Sequence, residues 1–115
     1  MTDVCIYIED RVVTTSGNGR AFVEAYQRDY VPSASARGMT LERITVSPPV
    51  WLDDESNIIT ITWTVAGQSS WWKAAIAGRH DPTLVQWWES VRLLISERTR
   101  STAADATDIE ELCNV

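Results

Sequence analysis

Hydrophobic and polar positions follow two periods along this chain, and the switches between them mark its elements. Val4, Ile6 and Ile8 alternate with Cys5, Tyr7 and Glu9, so Val4 to Val13 reads as a half-buried strand. Thr15-Ser16-Gly17-Asn18-Gly19 is a turn in which Ser16 or Asn18 can cap the next helix. Phe22, Tyr26 and Tyr30 then recur at spacing four, an aromatic stripe down one helical face. Pro32 ends or kinks that helix, a short helix from Val31 to Arg37 can continue it, and Gly38 has the place of a left-handed closing residue.

Met39 to Ser47 is a second strand, stopped by Pro48-Pro49, and Trp51 to Asn57 is an acidic connection containing Asp53-Asp54-Glu55, read as a solvated turn. Ile58 to Ala66 is the clearest strand, with Ile59, Ile61, Trp63 and Val65 on one face and Ile58, Thr60, Thr62 and Thr64 on the other. Gly67 breaks it, and Ser69 or Ser70 caps a helix through Gly78. Asp81-Pro82 starts another helix, with Leu84, Trp88 and Val91 on one face. Arg92 to Arg100 completes a four-stranded set, although continued helix is a rival there. Residues 101–115 are small and acidic and read as a tail, with a short helix possible from Asp108 to Leu112.

The order β-α-β-β-α-β predicts an α+β, ferredoxin-like domain over residues 1–100, its two helical units covering one face of a four-stranded antiparallel sheet. The other face is Thr-rich and weakly charged. Pairing it with a second copy would bury it, which predicts a twofold homodimer through the sheet faces.

Composition narrows the partners. The 115 residues carry a net charge of −6, which argues against nucleic acid and anionic membrane surfaces, both of which need clustered Lys and Arg. No apolar run approaches a membrane span, and the start of the chain lacks the pattern of a cleaved leader. Cys5 and Cys113 lack metal-ligand spacing and read as free thiols of a cytoplasmic protein.

Four of the six Trp fall in two adjacent pairs, Trp71-Trp72 and Trp87-Trp88, with the single histidine, His80, between them. That much aromatic surface predicts a cavity with flat apolar walls. Trp63, Trp72 and Trp88 occupy core phases. Trp51, Trp71 and Trp87 are left for a pocket mouth or dimer seam, because adjacent helical positions are about 100° apart. His80 stands just before the Asp81 cap, where a neutral imidazole could serve as general base. The chain has no Cys–His cluster, phosphate loop or nucleophile elbow.

Four stretches resemble the dimeric α+β barrel superfamily: VCIYIEDRV, FVEAYQRDYVPSASARGMTLERITVSP, ITWTVAGQSSWWKAAIAG and HDPTLVQWWESVRLLISERTR, together residues 4–100. Within it the chain is most similar to NIPSNAP-like and antibiotic-biosynthesis-monooxygenase-like proteins. The resemblance implies a homodimer with a ligand pocket between sheet and helices in each subunit. Related polyketide cyclases place a His near this junction and pair it with a Tyr on the preceding helix, a Tyr absent here. Heme-degrading members share the Trp…His spacing of Trp71 and His80 but use an Asn on the first strand, where this chain reads Cys5-Ile6-Tyr7-Ile8.

The expectation is an enzyme without tightly bound cofactor or metal, acting on an apolar aromatic or polycyclic substrate by isomerase, cyclase or oxygenase chemistry. His80, Tyr7 and Tyr26 would handle protons, and Phe22, Tyr30, Trp63, Trp71, Trp72, Trp87 and Trp88 would bind substrate. The alternatives are a non-catalytic ligand-binding or dimerisation protein and a heme-binding monooxygenase.

Overall fold

A computed structural model describes residues 4–113. Four strands form one antiparallel sheet: β1 (Cys5–Thr14), β2 (Thr40–Ser47), β3 (Ile58–Ala66) and β4 (Ile95–Ala104), in the order β2-β3-β1-β4. The helices are α1 (Gly19–Ala25), α2 (Val31–Ala36), α3 (Gly67–Arg79), α4 (Pro82–Ser90) and a short α5 (Ile109–Cys113). This is the ferredoxin-like α+β arrangement that the element order predicts.

The period-two pattern sets the sheet's inner face. Ile6, Ile8, Val12, Ile59, Ile61, Trp63 and Val65 are buried beneath the helices, while their neighbours in sequence face away. One charged residue shares that inner phase: Asp10 is fully buried, between Ile8 and Val12.

Between α1 and α2 the chain does not break but widens into a π-turn, Tyr26–Tyr30. Pro32 has no N–H to donate and its ring crowds the carbonyl four residues back, which a wider turn relieves. Within this segment Tyr26 and Tyr30 share one face and stack with ring centroids 4.6 Å apart. Gly38 then closes α2 with φ +93°, a left-handed conformation that glycine reaches without steric cost.

Three boundaries differ from the sequence expectation. Helix α3 begins at Gly67 itself, without a Ser cap, because a φ of +79° lets Gly67 turn strand directly into helix while its N–H donates to the Val4 carbonyl. Asn18 stands before α1 but makes no side-chain cap bond, its amide donating instead to Thr15 Oγ1. Strand β4 starts at Ile95, after a 3₁₀ turn over Arg92–Leu94, and runs to Ala104. Its outer half has no apolar alternation, and its register comes from pairing with β1, Asp10 opposite Arg100.

The outer face of the sheet is largely polar, with Glu9 and Arg11 exposed, Tyr7, Thr60 and Thr64 half-buried and Thr62 buried. It presents Tyr7, Glu9, Arg11 and Val13 from β1, Thr60, Thr62 and Thr64 from β3, and Thr99 and Ser101 from β4. Among the described residues, no helix is long and apolar enough to cross a membrane.

Candidate ligand cavity between sheet and helices

Helix α3 turns Trp71, Ala74, Ala75 and Gly78 toward the sheet, at i, i+3, i+4 and i+7. Three of the four are small, so the helix leaves space above Ile8 and Thr102 instead of filling it. The result is a cavity of about 320 Å³ also lined by Arg37, Met39, Arg79, Leu84 and Arg100. Trp71 forms one wall, and Met39, Leu84 and Ile8 supply the other apolar surfaces. Every charged residue in the lining is an arginine.

This phase corrects the assignment of the first Trp pair. Trp71 points inward, whereas Trp72 is 48% exposed and lies outside the core. Small residues, not large ones, define the inner stripe of α3, so counting bulky side chains placed the helix about 100° out of phase.

Arg100 reaches the cavity from β4 and is held on its other side. Its Nε and Nη2 donate to the two carboxylate oxygens of Asp10 at 2.7 and 2.8 Å, and Nη2 also donates to the Tyr30 hydroxyl at 3.0 Å. The paired carboxylate raises the Arg100 guanidinium above its already high ordinary value, so the charge is permanent. Arg37, from the end of α2, has a side chain only 9% exposed; its Nη1 donates to Ser33 Oγ at 2.8 Å and lies 3.9 Å from Asp81 Oδ2. Tyr30 links the two cations, since the Arg37 guanidinium carbon is 5.7 Å from the centre of its ring.

Behind the cavity lies an aromatic layer. Trp63 Nε1 donates to Tyr26 Oη at 2.7 Å, with both residues fully buried. Trp87 packs on Tyr30 at 5.2 Å and on Phe22 at 6.3 Å between centroids. Trp88 stacks on Phe22, carries the Arg98 guanidinium 3.7 Å above its ring, and with Tyr30 borders a shallower groove. Burial, reinforced by Asp10, pushes the Tyr26 phenol far above its ordinary value of 10.0, so it stays protonated.

Of the residues expected at a site, Trp71 lines the cavity, Tyr30 and Trp88 flank it, and Phe22, Tyr26, Trp63 and Trp87 form the layer behind. Tyr7 is on the opposite face of the sheet, its phenol raised by Asp105 and then Cys5. His80 closes α3, with its N–H donating to the Ile76 carbonyl, and its side chain is exposed. The fold therefore does not bring His80, Tyr7 and Tyr26 together within one chain. Asp53, Asp54 and Glu55 are exposed, and among the described residues no three His, Cys, Asp or Glu side chains converge as a metal site.

The arginines were not anticipated. Asp10 was their signal: a carboxylate in the buried phase of a strand needs a buried cation beside it.

Solved structures share this architecture. It matches a NIPSNAP family protein of unknown function from Agrobacterium tumefaciens with a TM-score of 0.70 and 12% identity, covering 90% of each chain. The fold is that of NIPSNAP-family and antibiotic-biosynthesis-monooxygenase-like proteins. A putative antibiotic biosynthesis monooxygenase from Nitrosomonas europaea aligns with a TM-score of 0.60 and 13% identity over 92% of this chain and 94% of that one. SnoaB, a cofactor-independent oxygenase from Streptomyces nogalater, aligns at 0.52 and 16% identity over 89% and 93%. No family model matches the chain, and no curated protein matches it.

Proposed function

We propose that this domain is an enzyme without tightly bound cofactor that acts on an apolar, ring-bearing substrate in the cavity under α3. The observation that carries the reading is the cavity itself, with its Trp71, Met39 and Leu84 walls and fixed Arg100 charge. The shared fold with a cofactor-independent oxygenase supports it. Isomerisation, cyclisation and oxygen insertion into an electron-rich ring all develop negative charge on a substrate oxygen. A guanidinium held in advance by Asp10 stabilises that charge without reorganising. Among the described residues, the lining contains no His, Tyr, Cys, Lys or carboxylate. The chemistry therefore relies on a substrate whose own acidity is raised beside Arg100, not on His80, Tyr7 or Tyr26 as base. Its two cysteines are free thiols, which supports a reducing, cytoplasmic setting.

Polycyclic phenols, with dioxygen as co-reactant, test this without added metal. Saturable quenching of Trp fluorescence and accelerated product formation or dioxygen uptake are expected. Both should vanish in Ala75→Phe, which fills the cavity, while the circular dichroism stays native. The proton-acceptor-free lining favours a second reading, a non-catalytic carrier, and saturable binding with no product from any ligand would establish that one instead.

We also propose that two copies pair through the outer sheet face. The accessible surface, 7222 Å², exceeds by about 900 Å² the value expected for a monomer of this mass. Thr60, central on this face and beside Arg11, tests it: Thr60→Arg places two more cations at a twofold seam. Light scattering should show a dimer for the native chain and a monomer for the variant. A native monomer at micromolar concentration would end the proposal.

A further inference from the structure

The two arginines of the cavity differ in one respect. Arg100 spends its Nε/Nη2 edge on the carboxylate of Asp10, a two-bond match of planar groups. The same edge of Arg37 has no such partner. Its Nε is buried and makes no hydrogen bond among the described residues, although the side chain is nine-tenths buried. Its one short hydrogen bond, to Ser33, leaves from Nη1 on the other side. A buried N–H of a charged group costs free energy when it is left unmatched, and few native groups remain so without reason.

Space for the missing partner exists beside it. At Gly78 a side chain would begin 3.7 Å from Arg37 Nε and 3.7 Å from Leu84 Cδ2, in ordinary contact with both, so glycine leaves room there that an incoming group reaches once the Arg37 side chain shifts to uncover its buried Nε. The lining adds Arg79 and Arg100 as cations and, among the described residues, offers no carboxylate, in a protein whose acidic residues outnumber its basic ones 16 to 10. The nearest anion to Arg37, Asp81, accepts from the N–H and hydroxyl of Thr83 through Oδ1, and its Oδ2 lies 3.9 Å from Nη1, on the side away from Nε.

We propose that the cavity selects apolar, ring-bearing ligands carrying a planar carboxylate, received by the Nε/Nη2 edge of Arg37 beside Gly78, with the ring system against Trp71 and Leu84. This rests on the ligand-binding reading of the same cavity and adds the class of ligand it prefers. Arg37 has the role that Asp10 reveals for Arg100 in reverse: one guanidinium is satisfied by the protein, the other waits for the ligand.

The test compares 2-naphthoate with its neutral amide, 2-naphthamide, by calorimetry and Trp fluorescence on the full chain. The native protein should bind the carboxylate about tenfold tighter than the amide. Arg37→Gln should bring the two to within about twofold of each other by weakening the carboxylate alone. Gly78→Ala is the second variant, because alanine favours the helix and does not endanger folding. Its methyl group occupies the approach to Nε, so the preference should disappear there too. Asp81→Asn keeps a capping oxygen but removes the competing charge, and should tighten naphthoate by about threefold. Equal affinity of the two ligands for the native protein, or a preference that survives both Arg37→Gln and Gly78→Ala, would overturn this inference and leave the cavity reading intact. Binding of neither ligand would sink both.

Discussion

Replacing Arg100 with methionine is expected to lower the unfolding free energy by about 3 kcal/mol. The cost comes less from losing the pair than from stranding what remains. Asp10 has no exposed surface, lies between Ile8 and Val12, and has Arg100 on both carboxylate oxygens. Without Arg100 its charge stays in the core with no cation to meet it. The reverse change, Asp10→Ala, should be milder. The Arg100 side chain is 35% exposed and can turn toward water, so its charge is not trapped. Asp10→Leu combined with Arg100→Met should recover most of the loss, because well-packed apolar residues replace a buried ion pair at little cost. Urea denaturation of the four proteins gives the coupling directly. A loss below about 1 kcal/mol for Arg100→Met would mean that Asp10 is not held as the geometry indicates.

That pair also shows what could be read in the sequence and what could not. The alternating apolar residues of β3 specify a strand with the observed limits, Ile58–Ala66, because a sheet with one buried face leaves no other register. Gly38 and the Asp81-Pro82 start are equally local: the missing Cβ of the one and the capping carboxylate and fixed ring of the other each set their own backbone conformation. The lower half of the sheet is different. Residues Ser96 to Ala104 contain no apolar alternation, so nothing in β4 itself says where it begins, and the strand is fixed by β1 across the ladder. Its extension to Ala104 and the packing of Leu112 against the core carry ordered structure beyond residue 100. A cavity was expected, but its lining was not legible, for a related reason. Large aromatic residues suggested where apolar surface would be, but a hollow is made by what is missing, here the side chains absent at Ala74, Ala75 and Gly78. Trp63, Trp87 and the Tyr26–Tyr30 stack fill the layer behind it, and only Trp71 of the expected aromatic walls faces the space.

The second large effect lies in that layer and has a pH signature. Tyr26→Phe removes the acceptor of the Trp63 indole N–H, leaving a fully buried donor unmatched, and should cost about 2 kcal/mol near neutral pH. At alkaline pH the sign of one contribution changes. Burial holds the Tyr26 phenol protonated in the folded protein well above 10.0, while in the unfolded chain it ionises near that value. Above pH 10 the unfolded state therefore releases a proton that the folded state keeps, and stability falls as pH rises. Phenylalanine has no such proton. The stability of Tyr26→Phe should accordingly decline less steeply than that of the native protein between about pH 10 and 11.5, narrowing a gap that is widest near neutrality. Denaturation midpoints measured at pH 8, 10 and 11 follow this directly. Parallel pH profiles for the two proteins would show that the Tyr26 phenol ionises as readily inside the fold as outside it, and the sealed contact with Trp63 would have to be abandoned.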